Sequence, residues 1–540
     1  MTAGDLSAEA YTAGERERLS RYVTDVDGPV FALTNLPEVV KGALFARYSR
    51  SPKSLRRLLL DEFLLQDDGR PAAAGGVGQE RAEALYDRVL AEYGDDSVAQ
   101  LGAAHLAVEG ASNVLTKVLE WGRLASYLEQ STRYISFADR PGGCYRYHRP
   151  PSVMAHPGLG SAYCDALDAI FVTYGELIPV LAEHLGRLVP DEPGTSPAAR
   201  ERAIRARALD ALRGLLPAAT TANVGIFASG QAYEALLIRL MAHPLPEARE
   251  CGERMLVELR KVIPAFLTRV DRADRGVRHA AYLREIEDAA ARRAGELFRA
   301  GDVAPDGPAV RLVDHDPDGE ERVVAHALWP ASGRSLAEVR DSVRGMSAEQ
   351  RDEVIAAAVG ARGDRRHRPG RAFEAASYTF EVVCDYGAYR DLQRHRMLTL
   401  QVQPLTPALG YDVPEEVIAA GAGEAYAAAQ RRSVSLYRAL SEALPDEAAY
   451  AVTLAHRIRF TMTMNAREAI HLIELRSQPQ GHESYRWVAR EMHRLIAEEA
   501  RHPAIAGAMG FVDSSSVTAG RLAAERRQEE RLARLAPAGE

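Results

Sequence analysis

The chain has 540 residues, 46% hydrophobic and 26% charged, a globular balance with length enough for two to four domains. A formal charge of -8 excludes attachment to nucleic acid through a general basic surface, so anion recognition must come from local arginine clusters and suits small phosphorylated ligands. The opening residues lack a basic region followed by an apolar one and no uninterrupted apolar run approaches about 18 residues, which predicts a cytoplasmic protein that does not engage a membrane. The four cysteines, Cys144, Cys164, Cys251 and Cys384, form no C-x-x-C pair; no disulfide framework and no metal site is expected, and the thiols should be reduced and mostly buried.

In chain order, a polar start gives way at Val30 to an apolar strand candidate, VFALTNLP, followed by helical periodicity through SLRRLLLDEF. The pattern returns in VRLVDHDPDGEERVVAHALW, with a VV-x-x-AL core at Val39 to Leu44 matched by Val323 to Leu328. A repeat of about half the chain is too long for a solenoid and indicates a duplicated domain. Other landmarks recur in the same order. AHLAVEGASNVLTKVLEWGRLASYLEQSTRYISF faces AASYTFEVVCDYGAYRDLQRHRMLTLQVQPLTPALGY, each an approach segment entering an arginine-bearing one. ALRGLLPAATTANVGIFASGQAYEALLIRLMAHPLPEARECGERMLVELRKVIPAF faces AYAVTLAHRIRFTMTMNAREAIHLIELRSQPQGHESYRWVAREMHRLIAEEA; both are predicted as helix, short polar break, helix. A charged helix running into a Gly/Pro loop joins the halves. The expected division is a polar segment 1–29, repeat 30–270, helical linker 271–305, repeat 306–513 and a polar tail 514–540 that is solvated or disordered.

Three clusters carry chemistry. Arg394 and Arg396 flank His395; on extended backbone the two guanidiniums project to one side and the imidazole to the other, a geometry that grips phosphate oxygens. Glu129, Ser131 and Arg133 fall at alternate positions, so in extended backbone they share a face where a hydroxyl and a guanidinium can bind a phosphate. On an ideal helix Arg467 and His471 lie one turn apart on one face, with Arg476 roughly opposite Arg467. No G-x-G-x-x-G follows a strand and no Walker A loop is present, which excludes Rossmann-type nucleotide binding. Tyr411, Trp121 and the tyrosines around Tyr145 are expected to pack, and His367 lies in an Arg/Gly/Pro-rich loop.

The segment RHR, then seven residues, then Ser is the signature of the ThyX-type flavin-dependent thymidylate synthases, and the chain resembles two tandem copies of that family from about Val30 to about Met509. Copy two keeps the approach Tyr378–Cys384 and Arg394-His395-Arg396 but has Pro404 where the serine belongs. Copy one has Trp121-Gly122-Arg123 instead of RHR yet keeps Glu129, Ser131, Arg133 and Tyr134. Downstream, Asn465, Arg467, His471 and Arg476 of copy two match a family helix in which copy one has Ser229, Gly230 and Gln231. Arg213 of copy one, ahead of Leu216-Pro217, matches a nucleotide arginine that copy two replaces with Ala449.

The resemblance implies an α+β fold, each copy an antiparallel-leaning sheet with packed helices, the two docked as an intramolecular pseudo-dimer. It implies an FAD-dependent thymidylate synthase converting dUMP to dTMP, with NADPH and 5,10-methylenetetrahydrofolate as co-substrates. Arg476 would act on the pyrimidine, Arg394, His395, Arg396, Asn465, Arg467 and His471 would hold the cofactor, and Glu129, Ser131, Arg133 and Arg213 would hold the nucleotide. Pairing the flavin half of copy two with the phosphate half of copy one gives one complete composite site. The implied partners are small molecules, with a homodimer restoring four domains. Two alternatives are a flavin-dependent C5-alkylating enzyme acting on another pyrimidine nucleotide and a non-catalytic nucleotide- or flavin-binding homologue.

Overall fold

The computed structural model describes residues 11–28, 30–48, 51, 53–64, 100–188, 196–298 and 307–515. The expected tail beyond residue 515, the first ten residues and the Gly/Pro loop at 299–306 lie outside them.

Among the described residues the fold is α+β with two small antiparallel sheets, organised by a strand-cap-helix unit that occurs four times. Copy one forms β1 (Ala103–Ser112), β2 (Ala125–Glu129) and β3 (Thr221–Ser229), in the order β1-β3-β2. Copy two forms β4 (Ala309–His315), β5 (Ser377–Asp385), β6 (Thr399–Val402) and β7 (Arg457–Asn465), in the order β4-β5-β7-β6. At the ends of β1 and β5, the side chains of Ser112 and Asp385 accept backbone N–H bonds from Leu115 and Ala388 and start the helices Asn113–Leu119 and Tyr386–Leu392. At the ends of β3 and β7, Ser229 and Asn465 do the same for Gly230–Ala242 and Ala466–Arg476. Short polar side chains satisfy the orphan N–H groups of a first helical turn, so each strand exits directly into a helix.

The duplication extends to register. Ser126 pairs with Phe227, two residues before the cap Ser229, and Thr399 pairs with Thr463, two residues before the cap Asn465. The two pairings are equivalent.

Two expectations are corrected. Each segment read as helix, break, helix carries a strand ahead of its helices: along β7 the side chains of Ile458, Phe460, Met462 and Met464 are buried and their neighbours are not, a period of two that belongs to a sheet with one face on the core. β3 repeats this with Ala222, Val224, Ile226 and Ala228. The strand expected at VFALTNLP is absent, reduced to a single bridge between Val23 and Leu33. Val30 is exposed and Asn35 adopts φ 54, which breaks the extended run where copy two continues as β4.

The chain divides into two compact units. The first combines Met1–Glu109, Gly122–Glu129 and Asn223–Ala300; the second combines Gly110–Trp121, Gln130–Ala222 and Gly301–Glu540. In the first, the helix Gly230–Ala242 is tied to the sheet by the Tyr233 hydroxyl, which lies 3.2 Å from the Ala104 carbonyl and 3.1 Å from that of Ile226. The linker helix Gly276–Leu297 rests on the same helix through Ala280, packed with Ile238 and Ala242.

The second unit contains the pseudo-dimer contact. Pro217 bridges to Thr453, its own equivalent in the other copy. Around that bridge the bonds are reciprocal: Ala218 N–H to Val452 C=O at 2.7 Å is mirrored by Leu454 N–H to Leu216 C=O at 2.9 Å, and Ala219 to Tyr450 at 3.1 Å by Ala455 to Gly214 at 3.0 Å. A patch that pairs with its own copy is the mark of a two-fold, isologous interface, here inside one chain. All four cysteines are free; Cys384 alone is buried, Cys164 and Cys251 are half-buried and Cys144 is exposed, so the expected burial holds for one thiol. Among the described residues no helix is long and apolar enough to cross a membrane.

Candidate active site

The site is assembled from four chain segments of the second unit. The helix after β5 delivers Asp391, and the turn and loop beyond it carry Arg394, His395 and Arg396. The helix after β7 delivers Glu468, His471 and Arg476. From copy one, the helix Pro197–Leu212 delivers Asp210 and the turn Arg213–Leu215 delivers Arg213, while Arg133 stands in a separate turn at Thr132–Tyr134.

Two buried aspartates hold the arginines of both copies together. Asp210 lies 2.8 Å from Arg133 Nε, 3.7 Å from Arg213 Nε and 3.2 Å from His482 Nδ1. Asp391 lies 3.4 Å from Arg213 Nη1, 3.9 Å from Arg476 Nη1 and 4.0 Å from Arg394 Nη1. Burial alone would push the Asp391 carboxyl up; the guanidiniums of Arg213, Arg476, Arg394 and Arg133 overcome it and hold the group well below the usual carboxylate range. Burial likewise opposes the charge of Arg133, and Asp210 more than offsets it. Arg133 also donates from Nη1 to the Tyr485 hydroxyl at 3.0 Å and from Nη2 to the Gln480 carbonyl at 2.8 Å. Arg213 is 3% exposed, yet its Nε and Nη2 have no hydrogen-bond partner. Unsatisfied buried donors are uncommon in native proteins, and here they are oriented among charged groups.

Behind this network, Arg476 donates from Nε to His395 Nε2 at 3.0 Å, and His395 Nδ1 lies 3.0 Å from Glu468 Oε1. His471 Nδ1 is 3.3 Å from both oxygens of the same carboxylate. Burial first, then the neighbouring Arg476, bring the His395 imidazole down to about 4 against the pull of Glu468, so the ring is neutral. Burial raises the Glu468 carboxyl, but bonds from His395 and His471 outweigh it and bring it to about 2.

Arg467 and Asn465 do not face the two aspartates. Arg467 donates to the Pro369 carbonyl at 2.9 Å and pairs with Glu374 at 3.3 Å. The side chain of Asn465 caps its helix. Arg394 is exposed and Arg396 half-buried, with His395 buried between them. The expected shared face of Glu129, Ser131 and Arg133 does not form. β2 ends at Glu129, buried in the first unit, and the Ser131 hydroxyl accepts the Arg133 backbone N–H at 3.2 Å, a local bond that turns the chain. His367 sits in an exposed turn, its Nδ1 accepting the Gly363 N–H at 3.1 Å. Sequence reasoning passed over Asp210, Asp391, Glu468, His482 and Tyr485. A signal existed for two of them, since Asp210 precedes Arg213 and Asp391 precedes Arg394 by three residues, the spacing of a helical ion pair.

The family model described as thymidylate synthase complementing protein matches residues 45–265 and again 311–502. The chain belongs to that family. The two matched stretches correspond to the two sheets and their helices, so the family domain is present twice. The UPF0159 protein of Chlamydia muridarum is 41% identical over 535 residues, covering 97% of this chain and 99% of the relative. That of Chlamydia pneumoniae is 38% identical over 526 residues, 96% and 98% of the two chains, and UPF0159 protein Ta1429 of Thermoplasma acidophilum is 31% identical over 514 residues, 90% and 98%. The duplicated arrangement of the family domain is therefore matched along almost the whole length of these relatives.

Proposed function

We propose that the protein is a flavin-dependent thymidylate synthase, converting dUMP to dTMP with 5,10-methylenetetrahydrofolate and NADPH at one composite site per chain. The observation that carries this reading is the pairing of Arg133 and Arg213 from copy one with Arg394 and Arg476 from copy two around Asp210 and Asp391. Four guanidiniums stand against two carboxylates there, a local excess of positive charge that suits an anionic nucleotide. Arg213 Nε, 3.7 Å from Asp210, and Nη2 make no hydrogen bond within the chain and are the donors offered to it.

The donor set also suits FAD: Arg394 is exposed and Arg396 half-buried on one loop, cations placed for a diphosphate. When bound, FAD supplies the redox and one-carbon transfer chemistry. The chain's own residues do the rest. Arg133 and Arg213 fix the phosphate, and Arg476, whose charge persists in spite of burial, stabilises negative charge developing on the pyrimidine. His395 has both ring nitrogens committed to protein partners, so its contribution to the cofactor is indirect. At the equivalent places of the other half-set stand Trp121, Gly122, Pro404 and Ala449, none of which offers a charged donor.

The test is an assay of purified protein with dUMP, NADPH and methylenetetrahydrofolate, scored by tritium release from C5-labelled dUMP and by dTMP formed. We expect turnover with one FAD per chain. A flavoprotein that binds dUMP without releasing tritium would be a binding homologue, and preference for UMP over dUMP would assign a different C5 alkylation.

A further inference from the structure

The trio His395, Glu468 and His471 offers metal-ligand atoms that all lie within 4.8 Å of one another. Proton counting argues against a cation there. The Arg476 Nε–H points at His395 Nε2 from 3.0 Å, so that nitrogen carries its lone pair and the ring proton resides on Nδ1, the atom facing Glu468. A metal on Nδ1 would require the proton on Nε2, donor against donor with Arg476. The arrangement therefore has another use.

We propose that Glu468 and His395 are positioning residues that fix the orientation of Arg476, a role that rests on reading Arg476 as the arginine that acts on the pyrimidine. Glu468 accepts the Nδ1–H and thereby locks the tautomer; the locked ring presents a bare Nε2; and Nε2 accepts from Arg476 Nε, which fixes the plane of the guanidinium and directs its Nη groups away from the ring, Nη1 toward Asp391. The acceptor is an uncharged ring, so the guanidinium is held without being neutralised, which a carboxylate in the same place would do. The nearest carboxylate, Asp391, lies at 3.9 Å and is shared with Arg213 and Arg394. Glu468 is itself anchored, its backbone N–H bonded to the Asn465 cap at 2.9 Å and its second oxygen within reach of His471. A carboxylate that holds an imidazole in one tautomer for a third group is an established physical device, since a ring in the wrong tautomer loses the acceptor its partner needs.

The experiment uses the full-length holoprotein with ring-15N-labelled histidine, in the wild type, Glu468→Gln and Glu468→Ala, with the His395 signals assigned by their loss in His395→Gln. We expect the wild type to show His395 in the Nδ1–H form. Glu468→Gln, whose amide oxygen still accepts, keeps that form and stays within about 10-fold of wild-type kcat. Glu468→Ala shifts the ring toward the Nε2–H form and lowers kcat on the order of 100-fold, with flavin absorbance per chain and KM for dUMP changed less than about 3-fold. An Nε2–H or doubly protonated His395 in the wild type at neutral pH would overturn the relay, as would Glu468→Ala with unchanged kcat. A wild type that makes no dTMP would overturn the proposed function instead, and the tautomer measurement would still decide the relay.

Discussion

At the scale of single residues, the most informative side chain is Arg213, a buried guanidinium of which two nitrogens, Nε and Nη2, make no hydrogen bond in the folded chain. Leaving such donors unbonded costs stability, and a ligand oxygen that accepts them recovers it. Arg213→Leu should therefore weaken dUMP binding by about 100-fold, equivalent to about 3 kcal/mol, while FAD content stays the same; calorimetric titration with dUMP and the flavin absorbance of the same sample check both halves. Arg133→Ala should abolish nucleotide binding with flavin spared, because Arg133 has the most direct contact with Asp210 and is held by Tyr485 and Gln480 as well.

Acid should act through buried rings. Burial brings His395 and His456 to about 4. A histidine depressed in the fold binds fewer protons there than when unfolded between about 4 and about 6.5, so its contribution is complete above that window and is lost as pH falls through it. The fall from 6.5 to about 4 corresponds to about 3 kcal/mol for each ring. The urea midpoint should drop between pH 7 and pH 4.5, and a flat midpoint across that range would show that the two rings are accessible to protons.

At the scale of elements, the strand-cap-helix unit is what aims the chemistry. Asn465 both starts the helix Ala466–Arg476 and bonds the backbone of Glu468. Asn465→Ala should cost about 1 kcal/mol of stability and, by loosening the first turn beneath Glu468, lower kcat. Ser229→Ala removes the equivalent cap of copy one and should cost similar stability with turnover unchanged. Thermal melts and steady-state kinetics on the two variants separate these effects; equal losses of turnover would mean that the caps serve general stability alone. Gly387 belongs to the same unit in copy two: a Cβ there would stand 2.9 Å from Asp385 Oδ1 and 3.1 Å from Arg213 Nε, so the glycine permits the close approach of the copy-one arginine to the copy-two helix start.

At the scale of the whole molecule, the reciprocal bonds around Pro217 and Thr453 make the chain its own dimer, while the charged half-sets are divided unequally between the copies. On the proposed function, duplication frees one of the two symmetry-related sites from selection on its ligands; of the residues kept, Arg133, Arg213, Arg394 and Arg476 meet around Asp210 and Asp391. One FAD per chain is the expected stoichiometry, and absorbance against protein concentration measures it; two tightly held flavins would refute the single composite site. Native mass measurement at micromolar concentration should give a homodimer, which restores the four family domains, and a monomeric mass would count against that assembly.

The sequence by itself determined the duplication and the complementary loss of motif halves, because each is written in local patterns: repeated landmarks in one order, and arginines present in one copy and replaced in the other; the α+β class came from the family resemblance. It left β7 misread, since the apolar residues Ile458, Phe460, Met462 and Met464 run directly into a helix with no turn residue between them except the cap. Only the tertiary structure decided which way Arg133 faces, because a single hydroxyl bond at Ser131 turned the chain where alternation would have kept it straight. Only it could bring Asp391 to Arg213 across nearly two hundred residues of sequence, or make Glu468 the proton acceptor that sets His395. Local pattern records what each residue can do; charge pairing and tautomer depend on what stands within about 4 Å, and that distance is fixed by packing between elements far apart in the chain.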